Sequence, residues 1–246
     1  MIVKSRTVSV GKVVFEGIEV IAFDKDGTLL DLDACWLEPS RAWVREASGH
    51  NDALTRELAV ELGLHPDRLA PDGPLASGTL EQITALTEAA LVRRGVDKPE
   101  AEARTLRARR LATQMAAAAE LVPLGDVAGS LQRLARAGLA LVVITADERQ
   151  SSLRALDALG LRDLLALWLT AEDALPPKPH PALIPAVAEW LGTVPEAVLM
   201  VGDSAADSQT AEAGGAAGFV LVAPRGRRPE VEAAAVVSSV DELEVR

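Results

Sequence analysis

Cysteine is nearly absent from this chain. Cys35 is the only one in 246 residues, so no disulfide can form within the chain and a reducing, cytoplasmic setting suits it. The thiol itself reads as a small buried apolar side chain. Histidine is almost as scarce, and His50, His65 and His180 lack the spacing of a metal site, so none reads as a ligand. No apolar run approaches the roughly 20 residues needed to span a bilayer. The amino-terminal segment carries Lys4, Arg6 and Lys12 without the continuous hydrophobic stretch of a signal peptide. An excess of positive charge is also lacking. The formal net charge of −11 argues against nucleic acid or an anionic membrane surface as a partner. Hydrophobic residues make up 49% of the chain, which is ample for a sizeable core in one or two domains.

The strongest positive feature is Asp24-Lys25-Asp26-Gly27-Thr28. It follows Ile18–Phe23, a short β-branched and apolar run that reads as a buried strand. Gly27 breaks the strand and opens a loop. Two acids then stand at a strand's carboxyl end, where α/β folds place their ligands. Such a pair can supply a nucleophile, a proton carrier and hard oxygen donors for magnesium.

Two more apolar runs end in the same way. Leu139–Ile144 leads into Thr145-Ala146-Asp147, and Ala197–Val201 leads into Gly202-Asp203-Ser204-Ala205-Ala206-Asp207. In a parallel sheet these polar ends share one edge. Between them, Ala166–Leu169 precedes Pro176-Pro177-Lys178-Pro179-His180-Pro181. A lysine set among prolines belongs to a stiff loop, because proline is excluded from helix interiors and central strands.

Taken in order, these four segments resemble the signatures of the haloacid dehalogenase superfamily, from about Ile18 to Val222. The closest pattern is the phosphoglycolate phosphatase-like branch, whose helical cap is inserted after the first motif. The resemblance implies an α/β fold: a Rossmann-like doubly wound parallel sheet with an inserted α-helical cap domain. It divides the chain into residues 1–33 (core, with an amino-terminal hairpin), 34–121 (cap) and 122–246 (core). It also implies roles. Asp24 would attack phosphorus, and Asp26 would protonate the leaving oxygen and then activate water. Gly27, Thr28, Thr145, Ala146 and Lys178 would hold the phosphoryl oxygens. Asp24, Asp26 through its carbonyl, Asp203 and Asp207 would surround Mg2+, with Asp207 either touching the metal or orienting Lys178. No role follows for Lys25.

The implied activity is Mg-dependent hydrolysis of a small phosphorylated metabolite through an aspartyl-phosphate, by a monomer or homodimer. A sugar-phosphate mutase keeps the same core motifs. A dehalogenase would not need Asp26, phosphonoacetaldehyde hydrolysis would need an early cap lysine where only Lys98 occurs, and an idle binding protein would have lost one of the acids.

The segment 34–121 reads as helical throughout, with Trp36, Ser40, Trp43 and Ala47 on one face and Leu54, Leu58 and Leu62 on another, stopped by Gly63. It is nearly neutral, with 11 Lys/Arg against 13 Asp/Glu, whereas the remainder holds 14 against 23. Pro71–Thr79 interrupts the helical pattern. It is either a connection between helices or a segment reaching the substrate, with Ser77 or Thr79 as donor. Arg225–Arg228 reads as a solvated basic turn. Leu183, Ile184, Val187 and Trp190 read as the inward face of a late helix.

Overall fold

The computed structural model describes residues 5–224 and 231–246; the basic turn Arg225–Arg228 lies outside them. The chain divides into two units, residues 32–122 and residues 1–31 with 123–246.

The inserted unit consists of α1 (Leu32–Ala47), α2 (Asp52–Leu62), α3 (Pro74–Ser77), α4 (Leu80–Arg93) and α5 (Lys98–Ala118). The starts of α2, α4 and α5 are set by side-chain caps. Asn51 accepts from the Leu54 amide and Asp97 from the Glu100 amide, each satisfying a donor that the first turn leaves open. Gly63 ends α2 at φ +76°, a left-handed conformation that glycine adopts without penalty. The buried face of α5 is Ala101, Thr105, Ala108, Ala112 and Ala116, small enough to let a neighbouring helix approach closely. Trp43 is buried and its indole Nε1 donates to Thr87 Oγ1 at 3.0 Å, so the ring packs without an orphaned donor. Trp36 is only half-buried.

The other unit opens with an antiparallel hairpin, β1 (Arg6–Val10) and β2 (Val13–Ile18), which β9 (Leu243–Val245) extends on the β1 side. The principal sheet contains β3 (Val20–Phe23), β4 (Ala140–Ile144), β5 (Leu165–Leu169), β6 (Val198–Gly202), β7 (Gly218–Val222) and β8 (Ala235–Val237). All neighbours are parallel, in the order β5-β4-β3-β6-β7-β8. Side chains alternate between the two faces, so each strand feeds two apolar layers. Ile21, Phe23, Leu141, Val143, Leu199 and Val201 pack with Leu131 and Leu134 of α6 (Val127–Arg136), Leu156 of α7 (Arg149–Ala158), and the hairpin. Val20, Ala22, Val142, Ile144, Val198 and Met200 pack with Ile184 and Val187 of α8 (Leu183–Leu191) and Ala211 of α9 (Ala205–Ala213). This is the doubly wound α/β architecture. Trp190 is a correction: it is 53% exposed, because it sits at the margin of the α8 stripe formed by Leu183, Ile184, Val187 and Ala188.

β3 lies at the centre of the sheet, between β4 and β6. Their carboxyl ends therefore deliver Phe23, Ile144 and Gly202 to one edge, each followed by a polar loop.

Candidate active site

Every expected core site residue lies at that edge. The Asp24 amide donates to the Val201 carbonyl at 2.8 Å, so the sheet ladder carries the first acid to its last rung. The loop then tightens on itself. The Lys25 carbonyl accepts from the Leu29 and Leu30 amides at 2.9 and 3.0 Å, and the Gly27 amide donates to the Leu30 carbonyl at 2.7 Å. Gly27 has φ +85°, and a Cβ there would stand 2.0 Å from Asp203 Oδ2. The glycine is thus required twice, by its backbone conformation and by the carboxylate lying over it. Gly202 has the same steric reason: a Cβ would meet Asp207 Cγ at 2.3 Å.

Lys178 joins the far segments. Its Nζ donates to Asp24 Oδ1 and to Asp207 Oδ1, each at 2.6 Å, and all three side chains are buried. Burial opposes the ammonium charge, yet Asp207 and Asp24 outweigh it and hold the lysine above its ordinary range. Burial pushes the Asp24 carboxyl up to about 7; Lys178 pulls it down, while Asp207 and Asp26 add to the rise. The second oxygen of Asp207 accepts from the Ser204 amide at 3.1 Å and from Ser204 Oγ at 2.7 Å, closing a capping box at the start of α9. Both oxygens of Asp207 are thus engaged, one by Lys178 and the other by Ser204.

Asp24, Asp203 and Asp207 bring carboxylate oxygens within 4.8 Å of one another, all three buried. An all-oxygen, carboxylate-rich donor set beside the Lys178 ammonium fits a hard divalent cation. Thr145 closes the other side. Its amide donates to the Leu169 carbonyl at 2.9 Å, and its Oγ1 accepts from the Asp147 amide at 3.1 Å. Ala146 follows, half-buried. Thr28 is fully buried and its Oγ1 has no partner among the described residues. The Gly27 amide, in contrast, is already committed to Leu30.

Ser77 and Thr79 belong to the inserted unit, and their hydroxyls are engaged there. Ser77 Oγ donates to the Gly73 carbonyl at 3.2 Å. Thr79 Oγ1 accepts from the Gln82 amide at 3.2 Å, while Gln82 Oε1 accepts from the Thr79 amide at 2.8 Å, a complete capping box for α4. These contacts favour the reading of Pro71–Thr79 as a connection between helices.

Sequence reasoning missed Lys25. Its side chain is buried, with Nζ 2.5 Å from Asp26 Oδ2 and 3.0 Å from Asp147 Oδ2. Burial works against its charge, but Asp26 and Asp147 raise its pKa above the usual lysine value. The available signal was a lysine flanked by acids at a strand end, where a solvated side chain would be unusual.

The model of the haloacid dehalogenase-like hydrolases matches residues 18–215. The phosphoglycolate phosphatase of Shigella boydii serotype 4 (strain Sb227) is 30% identical over 216 residues, covering 82% of this chain and 80% of that relative. Among solved structures, the fold is similar to one described as a predicted phosphoglycolate phosphatase from Haemophilus somnus 129PT, with TM-score 0.69 and 18% identity over 92% of this chain and 96% of that one. It is also similar to YfnB from Bacillus subtilis bound to magnesium, with TM-score 0.65 and 17% identity over 91% and 95%.

Proposed function

The chain belongs to the haloacid dehalogenase-like hydrolases, and on that footing we propose that it is a magnesium-dependent phosphatase whose substrate is phosphoglycolate or a close analogue among small phosphorylated metabolites. The reaction is hydrolysis of a phosphomonoester in two displacements. A carboxylate oxygen of Asp24 attacks phosphorus as the bond to the alcohol oxygen breaks, giving an aspartyl-phosphate. Asp26 passes its proton to the departing oxygen. It then takes a proton from the water that attacks the aspartyl-phosphate, which frees inorganic phosphate and restores Asp24. Lys178 and the hydroxyls of Thr145 and Thr28 are the donors for the phosphoryl oxygens. Asp24, Asp203 and the carbonyl of Asp26 would hold magnesium, which when bound supplies positive charge to the transferring phosphoryl group.

The observation that carries this reading is the Lys178 ammonium bonded to both Asp24 and Asp207 at 2.6 Å, which joins three of the four sequence segments at one point. The 30% identity to a phosphoglycolate phosphatase supports the substrate class, and the magnesium bound by a fold neighbour accords with the carboxylate-rich donor set. The test is release of inorganic phosphate from a panel of phosphorylated metabolites, with and without magnesium. Phosphoglycolate among the best substrates is the expected result. Conversion of a sugar phosphate to its isomer without free phosphate would assign the chain to the mutases instead.

A further inference from the structure

Lys25 has no part in the mechanism above, yet it is 2% exposed and both of its ion-pair partners are acids at the site's edge. Its backbone is pinned by the Leu29 and Leu30 amides, so the ammonium has a fixed origin. On one side it meets Asp26 Oδ2 at 2.5 Å. On the other, Asp147 Oδ2 stands at 3.0 Å, within ion-pair reach although no well-directed hydrogen bond falls on that oxygen. Asp147 is itself held. Its Oδ1 accepts from the Glu148 amide at 2.8 Å, and its own amide donates to Thr145 Oγ1 at 3.1 Å. Lys25 therefore ties the side chain of Asp26 to the turn that presents Thr145.

We propose that Lys25 is a positioning residue, a clamp anchored on Asp147 that holds the Asp26 carboxyl where it gives a proton to the leaving oxygen and takes one from water. An aspartate side chain turns about two torsions, and a proton carrier is effective only within hydrogen-bond reach of its target. The clamp removes that freedom at the residue where misplacement is most costly. The inference rests on the role given to Asp26 above.

The test separates leaving groups. An alkyl ester such as phosphoglycolate needs a proton on its departing oxygen, whereas p-nitrophenolate departs without one. In Lys25→Met, kcat on the alkyl ester should fall by about 10- to 100-fold with KM little changed. The first turnover of p-nitrophenyl phosphate should stay within about threefold of wild type, followed by a slow steady state as water activation becomes limiting. Asp147→Asn should move both readouts in the same direction, and Lys25→Arg, which keeps the charge, should recover part of the loss.

An equal first-turnover loss on both substrates, or a raised KM with kcat intact, would overturn the clamp. Should Lys25→Met fail to fold, an unchanged alkyl-to-aryl ratio in Asp147→Asn overturns it instead. Asp26→Asn is the control. If it shows no leaving-group dependence, the assignment of Asp26 fails and the clamp with it. If it does while the Lys25 and Asp147 variants do not, the clamp alone fails.

Discussion

Asp24 and Asp26 stand two positions apart and meet different surroundings, which is how two carboxyls would divide the proposed reaction. Asp24 is buried against Lys178 and the acid cluster, whereas Asp26 is paired with Lys25. An amide is almost the size of a carboxylate but cannot attack phosphorus, so Asp24→Asn should fold normally and lose turnover entirely. Asp26→Asn should lose about 10²–10⁴-fold, the usual contribution of a positioned acid–base. Phosphate release by purified variants checks both, and more than a tenth of wild-type activity in Asp24→Asn would contradict the nucleophile assignment. Asp24, Thr145 and Asp203 could be singled out in the sequence because each follows an apolar strand, Lys178 because it sits in a proline-bound loop, and Asp207 because it completes the Gly-Asp-x-x-x-Asp spacing. Lys25 offered only its place between two acids at a strand end, and its second partner, Asp147, lies on another strand's loop.

At the scale of elements, helix starts carry most of the local specification. The strands β3, β4 and β6 were legible as apolar runs because a central parallel strand is buried on both faces. β9 was not: three residues at the carboxyl terminus carry no pattern, and only pairing with β1 makes them a strand. Its approach is fixed by Asp241, whose carboxylate accepts from the Asp126 amide at 3.1 Å and from Ser130 Oγ at 2.8 Å at the head of α6. Partial burial would raise the Asp241 pKa, but the hydrogen bonds from Ser130 and Asp126 outweigh it and leave the group below its usual value. A lowered pKa means stability that is present above the ordinary carboxylate range and lost as pH falls through the folded value. Asp241→Asn should therefore lower Tm by about 2–4 °C near neutral pH, and the gap should close in acid. A gap that persists at low pH would assign the effect to packing. Thr79→Ala removes the α4 cap and should destabilise the inserted unit by about 1 kcal/mol. Its kcat/KM on the metabolite and on an aryl phosphate should then change in parallel; a loss confined to the metabolite would restore the substrate-contact reading of that segment.

For the whole molecule, charge and chain division point the same way. The residues outside 34–121 hold 14 basic against 23 acidic side chains, and the acidic unit is the one that contains the carboxylate cluster. The family resemblance implied an inserted segment over residues 34–121; the structure divides the chain at 32 and 122. An acidic site that receives a phosphorylated substrate needs a cation, and the proposed one is magnesium. Magnesium should activate. Calcium should inhibit, because its larger and more flexible shell lets a carboxylate bind through both oxygens and occupies the nucleophile. The aspartyl-phosphate at Asp24 is tested by an acid-quenched phosphopeptide map of the Asp26→Asn protein after reaction with p-nitrophenyl phosphate and magnesium, conditions under which water activation is slowed. A phosphoryl group is expected on the peptide containing Asp24, absent in chelator, with calcium, or when Asp24 is also replaced by Asn. Nitrophenol release with Asp24 unlabelled, or with the label on another residue, would contradict it.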